Sequence, residues 1–149
     1  MRSREDIESY LLRAEVPFEV VGDDSMWLVH DSSLGENIAI KAAGPLLLFR
    51  VKVLELGEVD DKAGLYEQLL TLNASDLVHG SYGISEGAIV LTCTLEIENL
   101  DYNELQAVLD DFSLALANHY QQLTKFRVAT ERRRAWDSSA DWRNSSRAT

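Results

Sequence analysis

Residues 88–98 read AIVLTCTLEIE, and this stretch decides the fold. Ile89, Leu91, Cys93, Leu95 and Ile97 fall on one side of an extended chain; Thr92, Thr94, Glu96 and Glu98 fall on the other. Alternation with period two suits an antiparallel strand with one face on a core and one in water. Just upstream, Ser85-Glu86-Gly87 is a turn cluster and residues 77–84 are a second β-prone run, so the two runs form a hairpin.

Toward the N-terminus the same signal recurs. In residues 46–56, Leu47, Phe49, Val51 and Val53 point one way while Arg50 and Lys52 point the other. Residues 38–43 form a strand candidate closed by Gly44-Pro45, and residues 18–21 and 26–30 flank the turn cluster Gly22-Asp23-Asp24-Ser25. Helical periodicity fills the gaps. Ile7, Tyr10, Leu11 and Ala14 make one stripe behind a Ser3 cap with Asp6 three residues on, and Pro17 stops that helix. Asp60 or Asp61 caps a second helix carrying Leu65, Tyr66, Leu69, Leu70 and Leu72, with Asn73 as its left-handed stop. Asp101 and Glu104 form a capping box opening the longest helix, whose apolar stripe runs from Leu105 to Leu123 and whose end is near residue 124. The element order is therefore α-β-β-β-α-β-β-α, an α+β fold with helices packed on an antiparallel sheet. Residues 1–124 are expected to form the domain, and residues 125–149 a basic helix extension and tail.

Composition narrows the function classes. A chain of 149 residues with 46% hydrophobic and 26% charged residues is one ordinary globular domain. Cys93 is the single cysteine, so no internal disulfide forms, and no apolar run approaches a membrane span. The N-terminus lacks the apolar core of a signal peptide, so a cytoplasmic location is expected. Charge is uneven: residues 1–124 hold 7 basic and 22 acidic residues, whereas residues 125–149 hold 7 basic and 3 acidic. An acidic body repels phosphate backbones and attracts partners with basic surfaces. Direct nucleic-acid contact is confined to the tail, where Arg132, Arg133 and Arg134 with Trp136 and Trp142 offer phosphate pairing and base stacking.

Catalytic patterns are weak throughout. His30, His79 and His119 have no metal-ligand spacing, and no second cysteine supports a zinc site, so neither metal nor cofactor is expected. Cys93 sits between Leu91 and Leu95 on the inward side, as a small hydrophobe rather than a nucleophile. Asp23-Asp24, Asp60-Asp61 and Asp110-Asp111 read as turn, cap and helix-surface acids. Gly80-x-x-Gly83 precedes a strand, not the helix N-terminus that a phosphate site requires.

A set of motifs carries a family likeness. Leu65-Tyr-Glu-Gln-Leu-Leu-Thr-Leu-Asn73, His79-Gly-Ser-Tyr-Gly-Ile84, Ala88-Ile-Val-Leu-Thr-Cys-Thr-Leu95, Leu100-Asp-Tyr-Asn-Glu-Leu105 and Leu109-Asp-Asp-Phe112 together resemble the YbjN-like proteins. Those are similar in fold to the class I type III secretion chaperones. The resemblance covers residues 4–124 and implies a homodimer that binds an extended segment of a client protein along apolar grooves, without nucleotide hydrolysis. On that view the chain is a non-enzymatic chaperone or adaptor. Leu65, Leu69 and Leu72 read first as core, with dimer contact as the alternative. Trp27, Leu46 and Leu48 either line a client groove or pack internally. The other functional reading is a regulatory module whose basic tail contacts nucleic acid or a nucleic-acid-bound protein complex.

Overall fold

Each run of alternating residues becomes a strand, and the strands share one core. The structure, a computed structural model, describes residues 4–23, 25–30 and 37–128. In chain order it contains α1 (Arg4–Arg13), β1 (Phe18–Val21), β2 (Met26–His30), β3 (Asn37–Ala43), β4 (Leu46–Glu55), α2 (Lys62–Ser75), β5 (Ser81–Ser85), β6 (Ala88–Glu96) and α3 (Tyr102–Thr124), with a 3-10 turn at Leu56–Glu58. The six strands pair antiparallel in the order β1-β2-β3-β4-β6-β5. The class is α+β, as expected, and each of the four β segments between residues 18 and 56 is a strand of its own.

The first four strands form a meander, and the β5–β6 hairpin is laid against it in reverse, so that β6 pairs with β4 and β5 becomes an edge. All three helices pack on one face. Trp27, Val29, Ile38, Ile40, Leu47, Phe49, Val51, Ile89 and Leu91 join Ile7 and Leu11 of α1, Leu65, Leu69 and Leu72 of α2, and Leu105, Val108, Leu109 and Phe112 of α3 in one cluster. The Phe49 and Phe112 rings meet edge to face with centroids 6.5 Å apart, the arrangement that ring quadrupoles favour. A register shift between Lys52 and Leu54 departs from plain alternation. The bulge lets Val53 and Leu54 both face inward, and both are buried.

Local chemistry explains the helix ends. Asp101 Oδ1 accepts from the Glu104 amide at 2.8 Å while Glu104 Oε1 accepts from the Asp101 amide at 3.3 Å, the capping box read from the sequence. Asp61, not Asp60, caps α2 by accepting from the Gly64 amide. The α1 cap assigned to Ser3 lies outside the described residues. Asn73 does not end α2: the helix continues to Ser75, because the Asn73 side chain is used elsewhere. Nor does the chain extend α3 beyond Thr124. Residues 126–128 turn back on residues 58–60, with the Asp60 amide donating to Phe126 O at 3.1 Å and the Val128 amide to Glu58 O at 2.7 Å.

Of the two glycines in Gly80-x-x-Gly83, only the first is demanded by its surroundings. Its φ is +88°, and a Cβ would lie 2.6 Å from Thr92 O and 3.0 Å from the Phe112 ring. Backbone must come this close for β5 to reach β6 over α3.

Phe112→Ala opens a cavity where the sheet and α3 meet. It is expected to lower stability by about 3–5 kcal/mol, read as an earlier midpoint in urea unfolding followed by far-UV circular dichroism.

Candidate functional site

Each of the three histidines has a polar side-chain partner. His30 Nδ1 lies 2.8 Å from Asn37 Oδ1 on the exposed end of β2. His79 contacts the Asp111 carboxylate. His119, 2% exposed, places Nδ1 2.8 Å from the Tyr82 hydroxyl and Nε2 3.2 Å from Asp76 Oδ2. Burial, with the Asp76 charge added, pushes the Tyr82 ionisation up, so the phenol stays protonated. This network ties α3 to the end of α2 and to β5, which is a structural strut. It forms one wall of a crevice of about 320 Å³ lined by Asp76, Leu77, Val78, Asp111, Leu114 and Asn118. Among the described residues no three His, Cys, Asp or Glu side chains come together in a way that could hold a metal ion. Cys93 is half-buried opposite Phe49. Burial lifts its pKa, a hydrogen bond from the Thr94 backbone opposes this, and the Asp111 charge adds to the rise, so the thiolate is scarce at neutral pH.

Surfaces offer more. The sheet has a second face that none of the helices among the described residues covers, and the pairing register maps it. One row across the strands runs Val21, Met26, Lys41, Leu48, Thr94, and the next runs Glu19, Leu28, Ala39, Arg50, Thr92. Ala43, Leu46 and Glu96 form a third row at one end. Met26, Leu28 and Leu48 are half-buried and Leu46 is 37% exposed, so a patch of apolar side chains stands open on the sheet.

The helix α2 is apolar on two sides. Leu65, Leu69 and Leu72 face the core, and the opposite side presents a shallow groove lined by Ala63, Tyr66, Glu67, Leu70, Thr71 and Ala74. Leu70 is 67% exposed.

The sheet edges differ. At the middle of β5, Asn73 Oδ1 accepts from the Tyr82 amide at 2.7 Å and Asn73 Nδ2 donates to Tyr82 O at 3.2 Å. One carboxamide thus pairs both outward backbone groups of Tyr82, as a neighbouring strand would. This gives Asn73 a role inside α2 and blocks strand addition at the middle of that edge.

These positions sort the binding residues named from the sequence. Leu65, Leu69 and Leu72, at 0%, 5% and 4% exposure, are core, and the exposed apolar side chain of α2 is Leu70. Trp27 is also core, fully buried with its indole N–H donating to Glu8 Oε1 at 3.2 Å, and so does not line a groove. Leu46 and Leu48 do lie side by side on the open face, one pleat apart. Arg132, Arg133, Arg134, Trp136 and Trp142 lie outside the described residues. Sequence reading missed Met26, Leu28 and Lys41 on the open face, and Asn73 as an edge cap. The signal available was the pair of leucines on the side of β4 that also carries Arg50 and Lys52. Among the described residues no helix is long and apolar enough to cross a membrane.

Comparison with known proteins places this geometry. The family model CesT_Tir_1 matches residues 1–129. A chain of the ExsC–ExsE complex superposes with a TM-score of 0.61 at 17% identity, covering 87% of this chain and 99% of that one. A chain of the HopA1–SchA chaperone–effector complex superposes with a TM-score of 0.58 at 11% identity, covering 80% and 92%. YbjN from E. coli superposes with a TM-score of 0.59 at 13% identity, covering 80% and 92%. At these identities the likeness is one of fold. No curated protein matches the chain.

Two measurements check the site assignments. Asn73→Ala removes both bonds to Tyr82 and is expected to cost about 1–3 kcal/mol, with faster hydrogen exchange at the Tyr82 amide. Cys93 is expected to react with iodoacetamide more slowly in the folded protein than in urea at the same pH, because burial withholds the thiolate.

Proposed function

The chain belongs to the CesT_Tir_1 family of type III chaperones, and on that premise we propose that it is a non-enzymatic chaperone or adaptor that works as a homodimer on a client protein in the cytoplasm. The observation that carries this reading is the open sheet face. A sheet stabilised by helices on one side leaves Met26, Leu28, Leu46 and Leu48 for another chain to cover. Apolar side chains aligned in register on a pleated surface offer pockets for a segment laid across them. The fold likeness adds weight, since HopA1–SchA is a chaperone–effector complex and ExsC–ExsE is likewise a complex of two proteins. The acidity of residues 1–124 favours a client with a basic surface at long range.

Dimerisation is assigned to α2. A helix apolar on both sides is normally covered on both, and only one side of α2 meets its own core. A second copy of α2 laid along Tyr66 and Leu70 completes the burial.

Light scattering on the full chain is expected to give twice the 16.7 kDa protomer mass, and Leu70→Asp is expected to shift it to the protomer. A protomer mass for the unaltered chain at tens of micromolar overturns the dimer. Client capture by the tagged protein is expected to survive deletion of residues 130–149 and to be lost with Leu48→Asp. Loss of every partner on the deletion instead assigns binding to the basic tail.

A further inference from the structure

The open sheet face is chemically unlike the rest of the molecule. Residues 1–124 contain only seven basic side chains. Three of them, Lys41, Arg50 and Lys52, project from this one face, all exposed. Their placement is regular. Lys41 sits between Met26 and Leu48 across the strands, and Arg50 sits between Ala39 and Thr92. Arg50 and Lys52 follow Leu46 and Leu48 along β4, so a single strand presents two leucines and then two cations on one side.

Carboxylates avoid the centre of this patch. Glu19 lies on the edge strand and Glu96 at the end of β6, both at the margins, and Glu55 is paired with Lys52 at 2.8 Å. Asp23, in the β1–β2 turn, has its pKa lowered chiefly by its hydrogen bonds from Ser25, with Lys41 a minor contributor. Among the described residues, Lys41 and Arg50 have no carboxylate within salt-bridge distance. Among the described residues, the carboxylates on this face are thus confined to its borders, Glu19 beside Leu28 and Glu96 beside Leu46, while Lys41, Leu48 and Arg50 occupy its middle.

We propose that this face docks a segment of a partner protein in which apolar side chains are interspersed with Asp or Glu. The inference rests on the chaperone reading above and specifies the chemistry of what is bound. Leucine-sized side chains cover Met26, Leu28, Leu46 and Leu48, and carboxylates reach Arg50 and Lys41 at the border of the patch. A guanidinium at Arg50 can hold a carboxylate through two parallel hydrogen bonds, which fixes register as well as sign. Long-range repulsion from the acidic body does not forbid this. It is screened over about 8–10 Å at physiological salt, so contact chemistry decides which segment stays. Phosphate backbones meet the same repulsion with no apolar side chains to offset it, which disfavours nucleic acid on this face.

The probes are two fluorescein-labelled 14-residue peptides with identical leucine positions, one carrying glutamate and the other lysine at the intervening positions. Anisotropy titrations use the full chain. The glutamate peptide is expected to bind at least about tenfold tighter than the lysine peptide, and Lys41→Glu with Arg50→Glu is expected to weaken it about tenfold, as for a few exposed charge pairs. Leu48→Asp is expected to weaken it as well. Arg50→Gln, a milder change, guards against misfolding and is expected to give an intermediate loss. Equal or tighter binding of the lysine peptide, no binding of the glutamate peptide, or indifference to the reversals overturns the proposal. Single-stranded DNA bound through Arg50 also overturns it, in favour of nucleic acid. Client capture that is lost with Leu48→Asp but unchanged by Arg50→Glu leaves the chaperone reading standing and removes this one. Tight glutamate-peptide binding by a chain that captures no client does the reverse.

Discussion

The pairing of β4 with β6 governs the molecule, because it joins the N-terminal meander to a hairpin that begins 26 residues after β4 ends. On its inner side Phe49 faces Cys93 and Val51 faces Leu91, which seats the strands against Phe112 of α3. On its outer side Leu48 faces Thr94 and Arg50 faces Thr92. Since the hairpin is inserted in reverse, α2 has to travel from the end of β4 to the far edge at β5. The crossing puts α2 where its inner leucines reach the core and Leu70 on its other side stays exposed. The surfaces assigned to a second copy and to a client therefore both follow from one strand junction.

Much of this was legible from residue periodicity. The two-residue alternation of residues 46–56 and 88–98 sets strand class and inward face correctly, and the Asp101–Glu104 box marks the start of α3, because both signals are local. Register is not local. Nothing in the sequence says that Lys41 stands beside Leu48 or that Met26 completes the same row, so the open face could be seen only as isolated leucines. For Trp27 the sequence leaves core and partner contact both open, and for the α2 leucines it puts core first, because large apolar residues serve cores and interfaces alike. Burial decides between those roles, and it decides for the core. The alternation of residues 46–56 also conceals the bulge at Val53, where two consecutive apolar residues turn inward.

Asn73 illustrates a different gap. A helix-end asparagine suggests a left-handed stop, a rule about the backbone of one residue. Here the side chain instead reproduces the donor and acceptor of a missing strand, and that use depends on β5 lying alongside α2. The histidines are similar: scattered in sequence, yet His119 links three elements through Tyr82 and Asp76. Both cases are polar groups whose partners are far away in the chain, and both tie β5 to its neighbours.

The capped edge at β5 has a consequence for assembly. A sheet with two open edges can add copies at both ends and grow without limit, whereas a sheet with one open edge can only be matched once. With Tyr82 satisfied by Asn73, β1 is the edge left to pair among the described residues. Pairing through β1 would therefore stop at two molecules. Edge-to-edge growth is limited in this way whichever surface joins two copies.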